Sequence, residues 1–280
     1  MEKVETVQDM RALGARLRGR RGGLSLVPTL GALHAGHEAV ISAAVSAGGP
    51  VVVSIFVNPL AFGLNENFLG YPRSLDADLG VCARLGVSAV FAPPVGEVYP
   101  RGFSTFVAEE HVSKPLCGIS RPTHFRGYAT LTAKLLNIVG PGRLYLGQKD
   151  AQHVAVARKV VADLNFPVEI VVVPTVREAD GLAAAVRNSE LTAGQRQDAL
   201  ALSKALKRVK TMVDAGMLSS DRLIAEATHI LGQHRRVRVI YVAVVDPETM
   251  ESVREVTPGK SLICVAAWLD EVRLTDNAVL

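Results

Sequence analysis

Val27-Pro28-Thr29-Leu30-Gly31-Ala32-Leu33-His34-Ala35-Gly36-His37 follows an apolar run, Leu24 to Val27, and precedes Glu38 to Val45, which reads as a helix. The order is strand, tight turn, helix N-terminus. Free backbone N–H groups and the helix dipole at such a terminus favour a phosphate. Glycine lets the backbone approach closely, and two imidazoles three positions apart can donate to phosphoryl oxygens as charge develops. The plain alternative is a pair of satisfied loop histidines. The strand before them and the motifs after them favour a nucleotide site.

Working outward, Val51 to Val57 is a continuous apolar run ending in Asn58-Pro59. Asp76 to Leu85 has helical spacing and closes at Gly86, and Val87 to Ala92 is strand-like again. Tyr128 to Val139 reads as a helix, Arg143 to Leu146 as a strand, Ala151 to Leu164 as a helix and Val168 to Val173 as a strand stopped by Pro174. Unalternating Val/Ile strands separated by helices predict an α/β fold with a parallel sheet covered on both faces. Ligands in such folds sit beyond the carboxyl ends of the strands, where the His34/His37 turn and Asn58-Pro59 both fall. Near residue 190 the composition changes. Leu191 to Arg196 can cap a long helix reaching about Ala215, and Asp221 to Gly232 forms a second. Val237 to Val245, Ser261 to Leu269 and Val272 to Leu274 then predict a small antiparallel sheet. The expected division is residues 1–180 and 181–280.

At 280 residues, 49% hydrophobic and 21% charged, the chain can bury a sizeable core. No apolar stretch approaches a membrane span, and Met1-Glu2-Lys3-Val4-Glu5 lacks a signal-peptide pattern. Cys82, Cys117 and Cys264 show no metal spacing, and an odd number argues against a disulfide framework; they read as buried thiols of a reducing cytoplasm. Net charge is +4, but the basic residues are dispersed and aromatics are only 5%, so neither a nucleic-acid nor a membrane partner is expected. Arg16, Arg18, Arg20 and Arg21 read as a solvated face.

Further constellations follow. Gly147-Gln148-Lys149-Asp150 leaves a predicted strand and opens a helix, placing a point charge suited to a triphosphate beside a carboxylate that can orient it or bind a ribose hydroxyl; alone, it is equally a surface ion pair. Pro174 to Leu182 carries Arg177, Glu178 and Asp180, a charged turn on its plainest reading, and leads to Arg187-Asn188, where Arg187 can serve as a second phosphate clamp. Cys117 to Gly127 either shapes the pocket or only connects.

Together the segments VPTLGALHAGH, SIFVNPLAFG, YPRSLDADL, RPTHFRG, KLLNIV, GQKDAQH, VPTVREADGLA, RN and the terminal VRLTDNAVL resemble, in this order, the pantothenate synthetase family. The resemblance implies a Rossmann-like nucleotidyltransferase sheet, a smaller C-terminal α+β lid and a homodimer. It also implies an AMP-forming ligase in which a carboxylate attacks ATP to give an acyl-adenylate and an amine then displaces AMP, with Mg²⁺ accompanying ATP. Carried over by position, Leu30, Gly31, His34 and His37 hold ATP, with His37 in the general-acid position and His34 on phosphate. Gly147, Lys149, Asp150, the backbone at Val176, and Ala185, Val186 and Arg187 complete the nucleotide site, Lys149 and Arg187 neutralising charge. Asn58, Ala61, Gln152 and His153 take the acid and amine positions.

Three departures stand out. Ala61 and His153 occupy positions where the family pattern has glutamines, one contacting pantoate and β-alanine and the other pantoate. Ala185-Val186-Arg187 keeps the cation of a Ser-Ser-Arg motif and drops both hydroxyls. Leu30 for the common Met is a near-neutral swap. A polar ligand group left without its partner costs about 1–3 kcal/mol. These changes lead us to expect an acid other than pantoate, ahead of an ordinary pantoate–β-alanine ligase, with an inactive paralogue third.

Overall fold

The computed structural model describes residues 1–63 and 67–280. In chain order the elements are β1 (Glu2–Val4), α1 (Val7–Arg18), β2 (Ser25–Thr29), α2 (Ala35–Ser46), β3 (Val51–Ile55), α3 (Leu75–Arg84), β4 (Ala89–Phe91) and the single turns α4 (Val95–Val98) and α5 (Cys117–Ser120). There follow α6 (His124–Val139), β5 (Arg143–Gly147), α7 (Ala151–Asp163), β6 (Glu169–Val173), α8 (Ala193–Asp214), α9 (Ser220–Gly232), β7 (Val237–Val245), β8 (Leu262–Leu269) and β9 (Val272–Val279). The first six strands form one sheet in the order β1-β4-β3-β2-β5-β6, every pair parallel. The last three form a separate antiparallel sheet.

Alternation along each strand sends side chains to opposite faces. Leu24, Leu26, Val52, Phe91 and Leu144 pack with Met10, Leu13 and Leu17 of α1 and with Leu131, Leu135 and Val139 of α6. Val27, Val51, Val53, Val90 and Tyr145 pack on the other face with Ile41 and Ala44 of α2 and Cys82 of α3. Both faces are therefore covered, as the apolar strands require. A second core joins α8 and α9 to β7–β9, and α8 opens on a reciprocal cap between Thr192 and Gln195. Phe125, Ala155 and Val156 pack against Val245, Met250 and Leu262, so a third cluster ties the small sheet to the large one.

The pairing of β2 with β5 covers only Ser25↔Arg143 and Leu26↔Leu144, although both strands run on. Pro28 gives the reason. Ser25 N donates to Pro50 O and Thr29 O accepts from Phe56 N, so odd-numbered residues of β2 bond towards β3. Pro28 consequently turns towards β5, where it has no N–H to offer. The sheet opens there into a crevice between the carboxyl ends of β2 and β5, at the point where the strand order reverses direction.

Two elements precede anything in the sequence reading: β1 is a three-residue edge strand, and α1 begins at a Thr6 cap. α6 starts four residues before the predicted Tyr128, and β9 runs to Val279 rather than ending at Leu274. The three cysteines are free and buried. Among the described residues, no helix is long and apolar enough to cross a membrane, and no group of three or more His, Cys, Asp or Glu side chains is placed to hold a metal ion.

Candidate active site

The crevice is entered from β2 by the turn Leu30–Leu33. Gly31 takes φ +83°, and a Cβ there would press on Asp78 and Ile55, so the turn requires glycine. Asp78, buried at the start of α3, accepts from Ala32 N at 2.9 Å and Leu33 N at 2.8 Å. The turn is thus held from outside by a carboxylate that the sequence reading did not single out.

At the start of α2 the two histidines cap the helix. Gly36 N donates to His34 Nδ1 at 3.1 Å, and His34 N donates to His37 Nδ1 at 3.3 Å. The rings lie 4.1 Å apart, centre to centre. A neutral imidazole that accepts at Nδ1 carries its proton on Nε2, so each ring keeps one Nε2–H to donate. Burial, then His34 and Lys149, push His37 down to about 3, and burial and Lys149 lower His34. In this geometry His37 is a neutral donor, because a proton on Nδ1 would break the cap, and any general-acid role would have to run through its Nε2–H.

Across the crevice, Gly147 ends β5, and Lys149 Nζ stands 3.5 Å from Asp150 Oδ1 and 3.4 Å from Thr275 Oγ1. Crowding disfavours the charged form of Asp150, but Lys149, His153 and His37 outweigh it and hold the carboxyl at about 2. Asn277 of β9 donates to the carbonyls of Gln148 (3.0 Å) and Lys149 (2.7 Å) and accepts from Gln148 Nε2 (3.1 Å). The C-terminal sheet therefore holds the Gly147–Asp150 turn in place.

Residues 176–190 form the third side. Arg177 is bidentate to the buried Asp276, at 2.7 and 3.2 Å. Glu178 accepts from Asn188 and Arg196, and Asp180 also accepts from Arg196. The charged turn is a structural lock, as its plainest reading has it. The Val176 carbonyl accepts from Ala184 N at 2.9 Å, which commits part of the backbone expected to face the nucleotide. Ala184 O lies 3.7 Å from where a Cβ of Gly36 would stand, so this segment passes beside the start of α2. Ala185 and Val186 lead into a 3₁₀ turn, and Arg187 lies at the rim, 3.7 Å from Glu190, where its charge also reaches Tyr71.

The expected acid-binding residues divide. Gln152 is buried and committed, accepting from Cys117 N and donating to the carbonyls of Val112 and Pro115. Asn58 is 1% exposed, accepts from Leu60 N and Tyr99 Oη, and donates to Gly127 O. Both amides are engaged in holding loops, apart from one Asn58 amide hydrogen. The Ala61 carbonyl accepts from His124 Nδ1 at 2.7 Å and from Arg121 at 3.2 Å. His124 Nε2 meets His153 Nε2 at 2.7 Å. The two positions lacking glutamine are thus joined through His124, a residue left in an uncommitted loop by the sequence reading.

A family model described as Pantoate-beta-alanine ligase matches residues 2–279. The chain belongs to the pantoate–β-alanine ligase family. It is 46% identical to the pantothenate synthetase of Acidobacterium capsulatum, covering all of this chain and 97% of that protein. It is 44% identical to that of Moorella thermoacetica, covering 100% and 99%. The crystal structure of pantothenate synthetase from Thermus thermophilus superposes with a TM-score of 0.93 at 40% identity, over 100% and 99% of the two chains. A pantoate–β-alanine ligase from Francisella tularensis, complexed with β,γ-ATP and β-alanine, superposes at 0.78 with 29% identity, over 100% and 97%. As a pantoate–β-alanine ligase family member the chain is an ATP-dependent amide-forming ligase, and its two sheets match the architecture of those structures.

Proposed function

We propose that the chain joins pantoate to β-alanine and forms AMP and pyrophosphate. The expected preference for a different acid receives no support from the comparisons, since relatives matching its whole length bear the pantothenate synthetase name. The observation that carries the reading is the reciprocal histidine cap of α2, which leaves two Nε2–H donors at the crevice with Lys149 near them. That set suits the α-phosphate, where negative charge grows as the pantoate carboxylate oxygen bonds to phosphorus and pyrophosphate leaves. The free amine of β-alanine then attacks the acyl carbon, AMP departs with the bonding pair, and the amine proton passes to solvent.

On this reading Leu30, Gly31, Gly147, Asp150 and the 184–187 segment surround the nucleotide, and residues 1–180 and 181–280 work as a nucleotide-binding domain and its lid. Mg²⁺ would accompany the triphosphate and neutralise its charge; Asp150, the carboxylate beside Lys149, is the residue that would hold it. The assembly is a homodimer, as the resemblance implies.

The test is steady-state release of pyrophosphate and AMP with pantoate and β-alanine. A kcat/KM of about 10⁴ M⁻¹s⁻¹ or above, within the ordinary enzyme range, is expected. ADP as the product, or pantoate inert while another acid is turned over, overturns the reading.

A further inference from the structure

Two successive residues of the turn after β2 lie in the left-handed region, Gly31 at φ +83° and Ala32 at φ +51°. Glycine enters that region freely, whereas the alanine Cβ meets the backbone there, so Ala32 is strained. On the entry side of the turn, Gly31 N donates to Thr29 Oγ1 at 3.3 Å, and Thr29 Oγ1 donates to Ser54 O at 2.9 Å. On the exit side, His34 N donates to His37 Nδ1. Between these ends Ala32 N and Leu33 N both donate to Asp78, one to each carboxylate oxygen. Among the described residues, neither N–H has another acceptor.

Packing does not replace the carboxylate. Behind the turn lies a cavity of about 260 Å³, bordered by Leu30, Gly31, Ile55, Arg73, Ser74 and Asp78, so the turn has room to relax. Asp78 itself is fixed: it is buried in the first turn of α3 and accepts from Ser74 Oγ at 3.3 Å. The N–H groups it takes are lost to phosphate, and its charge opposes an anion on the far side of the turn. Its benefit to a nucleotide can only be geometric. The residue after Leu33 is His34, the cap of α2. A turn released at Ala32 swings Leu33 and, with it, the His34 N–H that fixes the His37 ring.

We propose that Asp78 is the positioning residue of the nucleotide turn: by binding Ala32 N and Leu33 N it keeps Ala32 left-handed and holds the His34 N–H on His37 Nδ1 before ATP arrives. This rests on the reading above in placing ATP at the turn. Without the carboxylate the turn relaxes, and only the fraction of molecules still in the left-handed form accepts ATP, which weakens the apparent affinity by that fraction. Bound ATP restores the turn, so the loss falls on KM rather than on kcat.

The test is Asp78→Asn in the full-length enzyme. The amide keeps the size of the side chain but turns an NH₂ towards one of the two N–H groups. The KM for ATP and its calorimetric Kd are expected to rise roughly 10- to 100-fold, the loss for an unpartnered polar group. The kcat at saturating ATP and the KM for β-alanine should change several-fold less. Ala32→Gly added to Asp78→Asn should recover several-fold of the ATP affinity, more than it gives in the wild-type background, because glycine adopts the left-handed form without help. Ser74→Ala removes only the bond to Asp78 Oδ1 and should shift ATP in the same direction by less. Should Asp78→Asn fail to fold, Ser74→Ala with and without Ala32→Gly takes its place. Tighter ATP binding on loss of the carboxylate, unchanged binding, or a loss that Ala32→Gly does not relieve overturns the inference and leaves the ligase reading standing. Calorimetry needs no acid, so an enzyme that binds ATP but is inert to pantoate overturns the ligase reading alone. A wild-type enzyme that binds no ATP overturns both.

Discussion

At the scale of single residues, the chemistry turns on which nitrogen holds a proton. Sequence alone places His34 and His37 in a phosphate-binding turn, and the structure adds that both rings accept backbone N–H groups at Nδ1. Each ring then acts as a fixed dipole with one donor, which costs no reorganisation when charge develops on phosphate. A cationic acid would predict a different pH response. With His37 pushed down to about 3, the ring is already neutral throughout pH 6–8, so it contributes no titration limb there to kcat/KM for ATP, which reports the free enzyme. His37→Ala should lower kcat by roughly 10²–10³-fold, the loss of one preorganised donor. His37→Gln, with an oxygen for His34 N–H and an amide N–H to donate, should keep part of the activity. A limb between pH 6 and 8 that is present in the wild type and absent from His37→Gln contradicts the neutral-donor account.

At the scale of elements, the strands β2 to β6 and the helices α2, α3 and α6 to α9 are legible because their apolar periods are long or unbroken. β1 is not, being three residues at a sheet edge with two of them exposed. Of the site, the residues on the turns after β2 and β5 are legible from glycine, histidine and lysine placement. The fates of Asn58 and Gln152 are not, because all their partners but Leu60 N are groups brought from 35 to 69 residues away. No local pattern announces such a pairing. Gly127 is a further long-range case: α6 runs so close to the turn at Pro59–Ala61 that a Cβ on Gly127 would overlap the Leu60 backbone. That turn supplies the Ala61 carbonyl on which His124 rests. Gly127→Ala should therefore destabilise the fold by about 1–3 kcal/mol, as overpacking does, and raise the KM for the acid. Gly80 lies exposed within α3 with nothing near its would-be Cβ. Gly80→Ala should stabilise by about 0.5–1 kcal/mol through helix propensity and reduced chain entropy. A denaturant midpoint that rises in Gly127→Ala, as it should in Gly80→Ala, would show that the close approach of α6 is not a constraint.

At the scale of the whole molecule, the C-terminal sheet helps to build the site. Its last strand, β9, places Thr275, Asp276 and Asn277 side by side, and each holds a different part of the large-sheet crevice or of the segment beside it. Thr275 meets Lys149 Nζ, Asp276 takes Arg177 in two bonds, and Asn277 satisfies the Gln148 and Lys149 carbonyls. The turn after β5 would otherwise present those carbonyls unpaired in a part-buried place, which costs about 1–3 kcal/mol for each buried group left without a partner. Asn277→Leu keeps much of the volume and removes all three hydrogen bonds. It should raise the KM for ATP by about tenfold or more, since Lys149 loses the backbone anchor that aims it. It should also lower the melting temperature, because the bonds lost connect the two sheets. Thr275→Val removes one long contact of 3.4 Å to an ammonium that keeps Asp150 as a partner. Its effect on ATP should be several-fold smaller, with little change in stability. The order of the two variants decides the matter. If Thr275→Val weakens ATP as much as Asn277→Leu does, the hydroxyl itself guides the lysine. If neither changes ATP affinity, β9 braces the fold without organising the nucleotide site.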